Sequence, residues 1–462
     1  MDLKKIELQV LNEPILKLIS EEVQKEGLNL YLVGGALRDY FLDLRPRDFD
    51  FLFEGSREGL ETFLRTLSRK LRASYFLLGK KDHMLYRMVI DQKVLDFTLL
   101  WEGSIEENLK RRDFTVNAIA YSLSQRRFYL HPDSLRDLEE KKLRLASPEA
   151  FLFDPLRILR AFRYMATLGF TVPFELKQKI LKNAHMLSNV APERILTELE
   201  EIFLSESPYE AIVEMADSKV MEALFPELSF LRGLEQGPFH TKDAFWHSVL
   251  VTVEVLKIAK DPTPLEPLYN KEDKLALAYS ALFHDLGKRE TLSTDSEGVH
   301  HFYGHEVASK EKALKIIERY PFSRGLSQKI VCLVENHMYV LNLSQSNPTD
   351  RAIRRFISRI GEELELALIL AWAEWREKGK DEDAYRQFLS RVIALKRELK
   401  AFQPLIKGRD LLDLGFPPGP IIGQILQKVH ELHLDGVLKT KEEAMEFVKQ
   451  NFLTKGETWE KK

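Results

Sequence analysis

Two aspartates one residue apart, Asp48 and Asp50, sit in Arg47-Asp-Phe-Asp-Phe-Leu-Phe53, a stretch that alternates like a strand with one wet face. Side chains two apart on a strand project from the same face. Two carboxylates placed together repel each other unless a cation lies between them. Mg²⁺ takes oxygen ligands and is commonly held by one or two carboxylates plus substrate phosphates, so the pair suits two-metal phosphoryl chemistry. Taken alone, such a pair more often marks a solvated strand edge. Its surroundings narrow the choice. Leu30 to Val33 reads as a short strand broken by Gly34-Gly35, and Ala36 to Leu42 resumes as helix carrying Arg38 and Asp39. Glycines let a backbone approach a triphosphate, and a helix N-terminus favours anions. Asp96, on a strand expected over Val94 to Leu100, is a candidate third acid facing the first two. Arg111-Arg112-Asp113, with Asn117 behind it, opens a segment expected to be helical, and paired arginines suit phosphate or sugar contacts by forked hydrogen bonding.

The elements that must position these residues are legible in the periodicity. Residues 1–27 have helical spacing, as does Leu60 to Leu71. Leu85 to Ile90 and Val94 to Leu100 read as strands joined by Asp91-Gln92-Lys93, and Arg127 to Leu130 as a further strand. An α+β head ending near residue 145 follows. Beyond it strand signals almost vanish. Asp154-Pro155 is expected to begin a helix, with Asp as N-cap and Pro in the first turn. Helices are expected over Ile195 to Leu204, Tyr209 to Leu224, Phe245 to Ile258, Lys271 to Leu286 and Glu306 to Tyr320. Breaks fall at Leu231 to Thr241, Asp261 to Asn270 and Ser344 to Thr349, and Gly415-Phe-Pro-Pro-Gly-Pro420 interrupts the last helices.

Val33-Gly-Gly-Ala-Leu-Arg-Asp39, Asp48-Phe-Asp50, Arg111-Arg-Asp-Phe-Thr-Val-Asn-Ala118, Asp154-Pro-Leu-Arg-Ile-Leu-Arg160 and Glu193-Arg-Ile195 together resemble the class II tRNA nucleotidyltransferase and bacterial poly(A) polymerase family. The strings fall in the family's order, and the resemblance runs to the C-terminus. It implies a polymerase-β-like head followed by an all-α neck, body and tail. It implies that Asp48 and Asp50 hold Mg²⁺, with Asp96 as third acid, while an RNA 3′-hydroxyl attacks the α-phosphate of CTP or ATP. By the same resemblance Gly34, Gly35, Arg38, Arg112, Asp113, Asn117, Asp154, Arg157, Arg160 and Arg163 surround the nucleotide. Asp154 and Arg157 match the pair that selects the base. A carboxylate accepts from cytosine N4 and an arginine donates to a ring edge, although Asp154 is also a good N-cap. Two departures stand out. Phe153 occupies a position where the family usually has Glu. Only residues 97–110 separate Asp96 from the double arginine, where CCA-adding relatives carry a long flexible loop. The shortened form implies an enzyme that adds CC to the tRNA 3′ end and leaves the terminal A to a separate A-adding enzyme.

A second constellation is imidazole-rich. His247, the pair His284-Asp285 before Leu-Gly-Lys288, and then His300, His301, His305 and His337 suit metal ligation from separate helices. The His-Asp pair resembles the HD superfamily of metal-dependent phosphohydrolases. That resemblance gives His247, His284 and Asp285 as candidate ligands of a divalent transition metal, and Glu374 stands nearest to where the superfamily places its last Asp. The same residues also fit a helical body that only supports RNA.

The resulting division is 1–145 head, 146–230 neck with base-selection and RNA contacts, 231–345 HD-type body, and 346–462 tail with Lys396-Arg397, Lys400, Lys407 and Arg409 as candidate tRNA contacts. The totals set limits. A net charge of −3 places any RNA contact in local basic patches. The single cysteine, Cys332, excludes an internal disulfide and multi-cysteine zinc sites. No apolar stretch matches a signal peptide or a bilayer span, so a cytoplasmic protein with no membrane partner is expected. The competing classes are a full CCA-adding enzyme, a poly(A) polymerase, an HD phosphohydrolase, and a non-catalytic RNA-binding module.

Overall fold

The computed structural model describes residues 2–79, 84–100, 103–237, 242–268, 270–401, 404–434 and 436–453. The chain divides into two compact units, Met1–Pro226 and Glu227–Lys462. It is an α+β protein in which a seven-stranded sheet lies in the first unit and helices make up nearly all the rest. The strands are β1 Asn29–Val33, β2 Asp48–Glu54, β3 Tyr75–Leu78, β4 Leu85–Ile90, β5 Lys93–Leu99, β6 Ile119–Ser122 and β7 Arg127–Leu130, in the order β3-β4-β5-β2-β1-β6-β7. β2 and β5 pair in parallel, and the other neighbours are antiparallel.

Register builds the site. Ala120, Val33, Asp50, Asp96 and Arg87 are successive Cα partners across five strands. On β2 the alternation sends Phe49, Phe51 and Phe53 to the face packed with helix Arg57–Leu71, where Phe51 stacks on Phe97 at 4.7 Å and Phe53 meets Phe63. Asp48 and Asp50 are thereby left on the opposite face. Tyr31, Val33, Leu52 and Ala120 form a core there with Ile105 and Leu109 of helix Ile105–Lys110.

Several local expectations are corrected. The helix expected over 1–27 is two, Leu3–Asn12 and Pro14–Glu26, because Pro14 has no N–H to donate and starts a new first turn. The segment after Arg112 does not open a helix. It makes a single 3₁₀ turn, Thr115–Asn117, and then enters β6. Asp113 causes the change, since its Oδ1 accepts from the Phe114 N–H at 2.7 Å and the Asn117 amide at 2.9 Å. β3 and β6 were missing from the sequence reading. The helix beyond Asp154-Pro155 starts only at Arg157. The stretch 209–224 is split into Tyr209–Asp217 and Val220–Leu224 by Lys219, whose φ is 58°. The expected head and neck fall in the first unit apart from 227–230, and the body and tail in the second.

In the second unit, helices Ala244–Lys260, Lys271–Phe283, Arg324–Gln345 and Leu364–Glu377 pack on one another, and Gly287 brings the segment after His284-Asp285 against helix His305–Arg319. A Cβ on Gly287 would lie 2.5 Å from the His305 carbonyl oxygen, so only glycine permits this approach. Among the described residues, strands reappear only as a two-residue hairpin, Ser293–Thr294 with His300–His301. Among the described residues, no helix is long and apolar enough to cross a membrane.

Candidate active site and histidine cluster

A cavity of about 500 Å³ opens over the acidic face of β2. Asp48 and Asp50 line it, and its walls include Arg38, Arg112, Arg157, Arg160 and Arg163. Gly34 is the first turn element beneath it, with φ 75° and its N–H donated to the Ile119 carbonyl at 2.9 Å. A Cβ on Gly34 would stand 2.8 Å from Nη1 of Arg112, so the missing side chain lets the guanidinium lie on the turn. Gly34→Ala is expected to lower the melting temperature, since strained backbone of this kind costs about 1–3 kcal/mol and the arginine must shift. A thermal melt checks this, and an unchanged melting temperature would refute the close-approach role.

Asp50 stands open to solvent within the recess, yet the protein around it removes enough water to raise its pKa. Asp96 and Asp48 push the same way, and Arg112 opposes them. Unfavourable burial of charge beside like charges is what a divalent cation relieves, so the donor set fits Mg²⁺. Asp96 is held differently from the first two acids. Arg87 on β4 donates Nε and Nη2 to its two carboxylate oxygens at 2.8 and 2.7 Å. No local pattern marks Arg87, because the contact depends on the β4–β5 register.

The arginine wall is fixed by a buried polar network. Asn117 accepts from Arg38 Nη1 at 2.9 Å and donates to Asp113 and to the Tyr164 hydroxyl. Arg160 pairs with Asp113 at 3.1 Å and donates to the Tyr164 hydroxyl at 2.9 Å. Arg38 and Arg163 each lie 4.9 Å from the centre of the Tyr164 ring. Burial would lower the Arg160 pKa, but Asp113, Tyr164 and Glu198 outweigh it and hold the guanidinium protonated. Burial would raise the Asp113 carboxyl, and Arg160, Asn117 and the Phe114 N–H together bring it below its usual range. For Arg112 burial wins, and its pKa falls below the ordinary arginine value. Tyr164, the hub of this network, was not among the sequence candidates.

The expected base-selecting pair is already engaged. Asp154 accepts from the Leu156 N–H at 3.2 Å and pairs with Arg194 at 2.7 Å. Arg157 donates to the carbonyls of Arg111, Arg112 and Ala150 at 2.7 to 3.1 Å. Arg157 lines the cavity and Asp154 does not.

The second unit gathers His247, His284, Asp285, His305, His337 and Glu374 into overlapping donor groups whose atoms lie within 4.8 Å of one another, all buried. The Nδ1 atoms of His284, His305 and His337 meet the carbonyls of Ala281, Phe302 and Val334 at 2.7 to 2.8 Å, and that of His247 meets Glu377 at 2.7 Å. Nε2 of each is thereby left for the centre of the cluster, as in metal-bound histidine. Nε2 atoms of His284 and His305 stand 3.1 and 3.2 Å from the Asp285 carboxylate. Glu374 Oε1 is buried without a hydrogen-bond partner, which suits a cation ligand. Lys288 supplies a resident positive charge 2.6 Å from Asp285, and Lys378 lies 3.3 Å from Glu374. Burial raises Glu374, and Lys378 with the imidazoles of His284 and His337 brings it down to about 2. Burial likewise opposes ionisation of Asp285, which His284 and Lys288 restore, leaving it well below the usual carboxylate range. His300 and His301 lie outside this group, on the hairpin, with His301 paired to Asp295 at 2.8 Å. Glu377 and Gln236, which accepts from Lys288, carry no signal in a lone sequence.

Models of three known domains match the chain: the poly A polymerase head domain over residues 30–144, an RNA- and SrmB-binding site of polymerase A over 169–231, and tRNA nucleotidyltransferase domain 2 over 294–448. An A-adding tRNA nucleotidyltransferase of Deinococcus radiodurans is 31% identical, the match covering 91% of this chain and 94% of that one. A CC-adding tRNA nucleotidyltransferase of Thermus thermophilus is 32% identical over 90% of this chain and 92% of the other. The CCA-adding enzyme of Thermotoga maritima, solved with tRNA, shares the fold with a TM-score of 0.67 at 20% identity, over 97% of this chain and 98% of that one.

Proposed function

Because the chain belongs to the tRNA nucleotidyltransferase family, we propose that it extends the 3′ end of tRNA from CTP by attack of the RNA 3′-hydroxyl on the α-phosphate, releasing pyrophosphate. The observation that carries this reading is Asp48 and Asp50 on the open floor of a cavity walled by arginines. Mg²⁺ held there would lower the pKa of the hydroxyl and offset charge on the triphosphate. Asp48 and Asp50 hold the acidic floor, and Asp96, gripped by Arg87, stands beside Asp50 in the sheet without lining the cavity. Arg112 and Arg160, fixed through Gly34, Asp113 and Tyr164, face the triphosphate with forked donors. Arg38 and Arg163 stiffen the same wall through the Tyr164 ring. Arg157 reads the base edge from its carbonyl-anchored position, and Asp154 joins it by exchanging Arg194 for cytosine N4.

The finer reading is addition of two cytidines and no adenosine, with the terminal A supplied by a separate activity. Its support is the stretch between Asp96 and Arg111. Residues 97–99 finish β5, and Ile105–Lys110 is a helix closed by a capping box between Ser104 and Glu107, while Trp101 and Glu102 lie outside the described residues. Few positions remain there for a switching loop. Similar relatives are A-adding in one case and CC-adding in another, at 31% and 32% identity, so product length decides. With tRNA ending at the discriminator base, CTP and ATP together are expected to give a product longer by two nucleotides. Efficient transfer of A to tRNA ending in CC would overturn this.

A second reading concerns the second unit. Four imidazoles aimed at two buried carboxylates favour an HD-type metal centre with phosphohydrolase chemistry. Purified protein should then carry a divalent transition metal lost on replacing His284, together with phosphatase or phosphodiesterase activity. Absence of both metal and hydrolysis would eliminate it.

A further inference from the structure

The residues gathered in the second unit are not equally free to take a cation. Asp285 already has a positive partner. Lys288, three residues on and almost fully buried, reaches its Oδ2 at 2.6 Å, and Gln236 accepts from the same ammonium. The Nε2 atoms of His284 and His247 stand 3.1 and 3.6 Å from that same oxygen. An ion bound by those three residues would meet the Lys288 ammonium at one carboxylate oxygen, where like charges repel. The other oxygen, Oδ1, faces Nε2 of His305 at 3.2 Å. Glu374 differs. Lys378 donates to its Oε2 at 3.3 Å, while Oε1 is buried with no hydrogen-bond partner among the described residues. His284 Nε2 is buried in the same condition. In the neutral ring that a metal takes, Nδ1 of His284 donates to the Ala281 carbonyl and Nε2 carries the lone pair. The His337 ring is set the same way by the Val334 carbonyl, and its centre lies 5.0 Å from that of His284. Donor atoms of His284, His337 and Glu374 fall within 4.8 Å of one another. Modest side-chain turns would bring them to about 2.0–2.2 Å from one ion.

We propose that this centre takes a single divalent transition metal on His284, His337 and Glu374, and that Lys288 keeps Asp285 out of the coordination shell as its built-in counter-ion. The resemblance to HD hydrolases gave His247, His284 and Asp285 as ligands, so this set keeps one of the three and replaces two. Two imidazoles and one carboxylate suit Zn²⁺ and related ions, and three protein ligands leave a further position open for water or a phosphate oxygen. Asp285 and His247 then act from outside, the first balancing Lys288 and the second turned by Glu377 through Nδ1 at 2.7 Å. The proposal rests on the reading of this cluster as a metal centre.

The test uses the full chain, stripped of metal and titrated with Zn²⁺ in excess Mg²⁺, which fills sites built from oxygen alone. Calorimetry gives the affinity and elemental analysis the number of ions bound. One Zn²⁺ per chain is expected. Glu374→Gln and His337→Gln are each expected to weaken binding more than about a hundredfold, beyond the loss of about ten- to a hundredfold that follows removal of an outer partner. His247→Gln is expected to stay within about tenfold, and so is Asp285→Asn joined to Lys288→Met, a pair of changes that strands no charge. Circular dichroism shows whether each variant keeps its helices. If the paired variant does not fold, His247→Gln carries the comparison, since it leaves both carboxylates in place. Binding lost in His247→Gln but kept in Glu374→Gln overturns this ligand set and leaves a metal centre of the other composition standing. Two ions per chain overturn it as well. Unaltered protein that takes up no Zn²⁺ sinks the metal centre itself, and this assignment with it.

Discussion

Asp50→Asn is expected to reduce CTP incorporation at least about a thousandfold while leaving the protein as stable to heat as before. A thousandfold corresponds to about 4 kcal/mol of transition-state stabilisation, within the range that one well-placed electrostatic group supplies. Asp50 lies between Val33 and Asp96 in the sheet, and its surroundings raise its pKa. An amide keeps the shape and loses the charge that holds a divalent cation. It also relieves repulsion with Asp48 and Asp96, so the melting temperature should hold or rise. Labelled CTP incorporation and a thermal melt measured on the same preparation separate the two effects. Retention of a tenth of the activity would mean that Asp50 is not a metal ligand in the reaction.

Asp285→Ala should destabilise the second unit by about 3–5 kcal/mol, the usual consequence of stripping one partner from a buried ion pair. Lys288, almost fully buried, would keep its charge with, among the described residues, only the Gln236 carbonyl to accept from it. The Nε2 atoms of His284 and His305 would lose the neighbouring carboxylate as well. For a unit of this size each kcal/mol lowers the melting temperature by about 2–4 °C. Adding Lys288→Met to Asp285→Ala should recover part of the loss, because the stranded cation is removed. Denaturant titration of the single and double variants measures both effects. A loss below 1 kcal/mol would show that water or another group takes over the countercharge.

The sequence made parts of this molecule readable and concealed others for physical reasons. Asp48 and Asp50 were readable because strand alternation is local, and Gly34-Gly35 because a strand broken by two glycines before a helix has few interpretations. β6, Ile119–Ser122, was not, because every residue in it is buried and no alternation survives. β3 was hidden by Tyr75-Phe-Leu-Leu78, a short apolar run that fits helix or strand equally. The segment 111–118 carries helix-like spacing, but the Asp113 side chain takes the hydrogen bonds a helix would need. Arg87, Arg194 and Tyr164 act over separations of 9 to 47 residues, where only tertiary structure brings partners together. In the second unit the His-Asp pair was legible as chemistry. Glu377, which orients the His247 ring from 130 residues away, was not.

The pairing of β2 with β5 has an evolutionary corollary. Inserting or deleting one residue within either strand would point its acids into the aromatic layer around Phe51 and Phe97, and send those rings out to the arginines. A change of two residues would preserve facing and shift the carboxylates by a single repeat. Descendants of this gene should therefore tolerate drift in the loops flanking these strands while keeping the distance from Asp48 to Phe53, and from Asp96 to Leu99, free of indels. A functional homologue with a one-residue gap inside either strand would contradict that constraint.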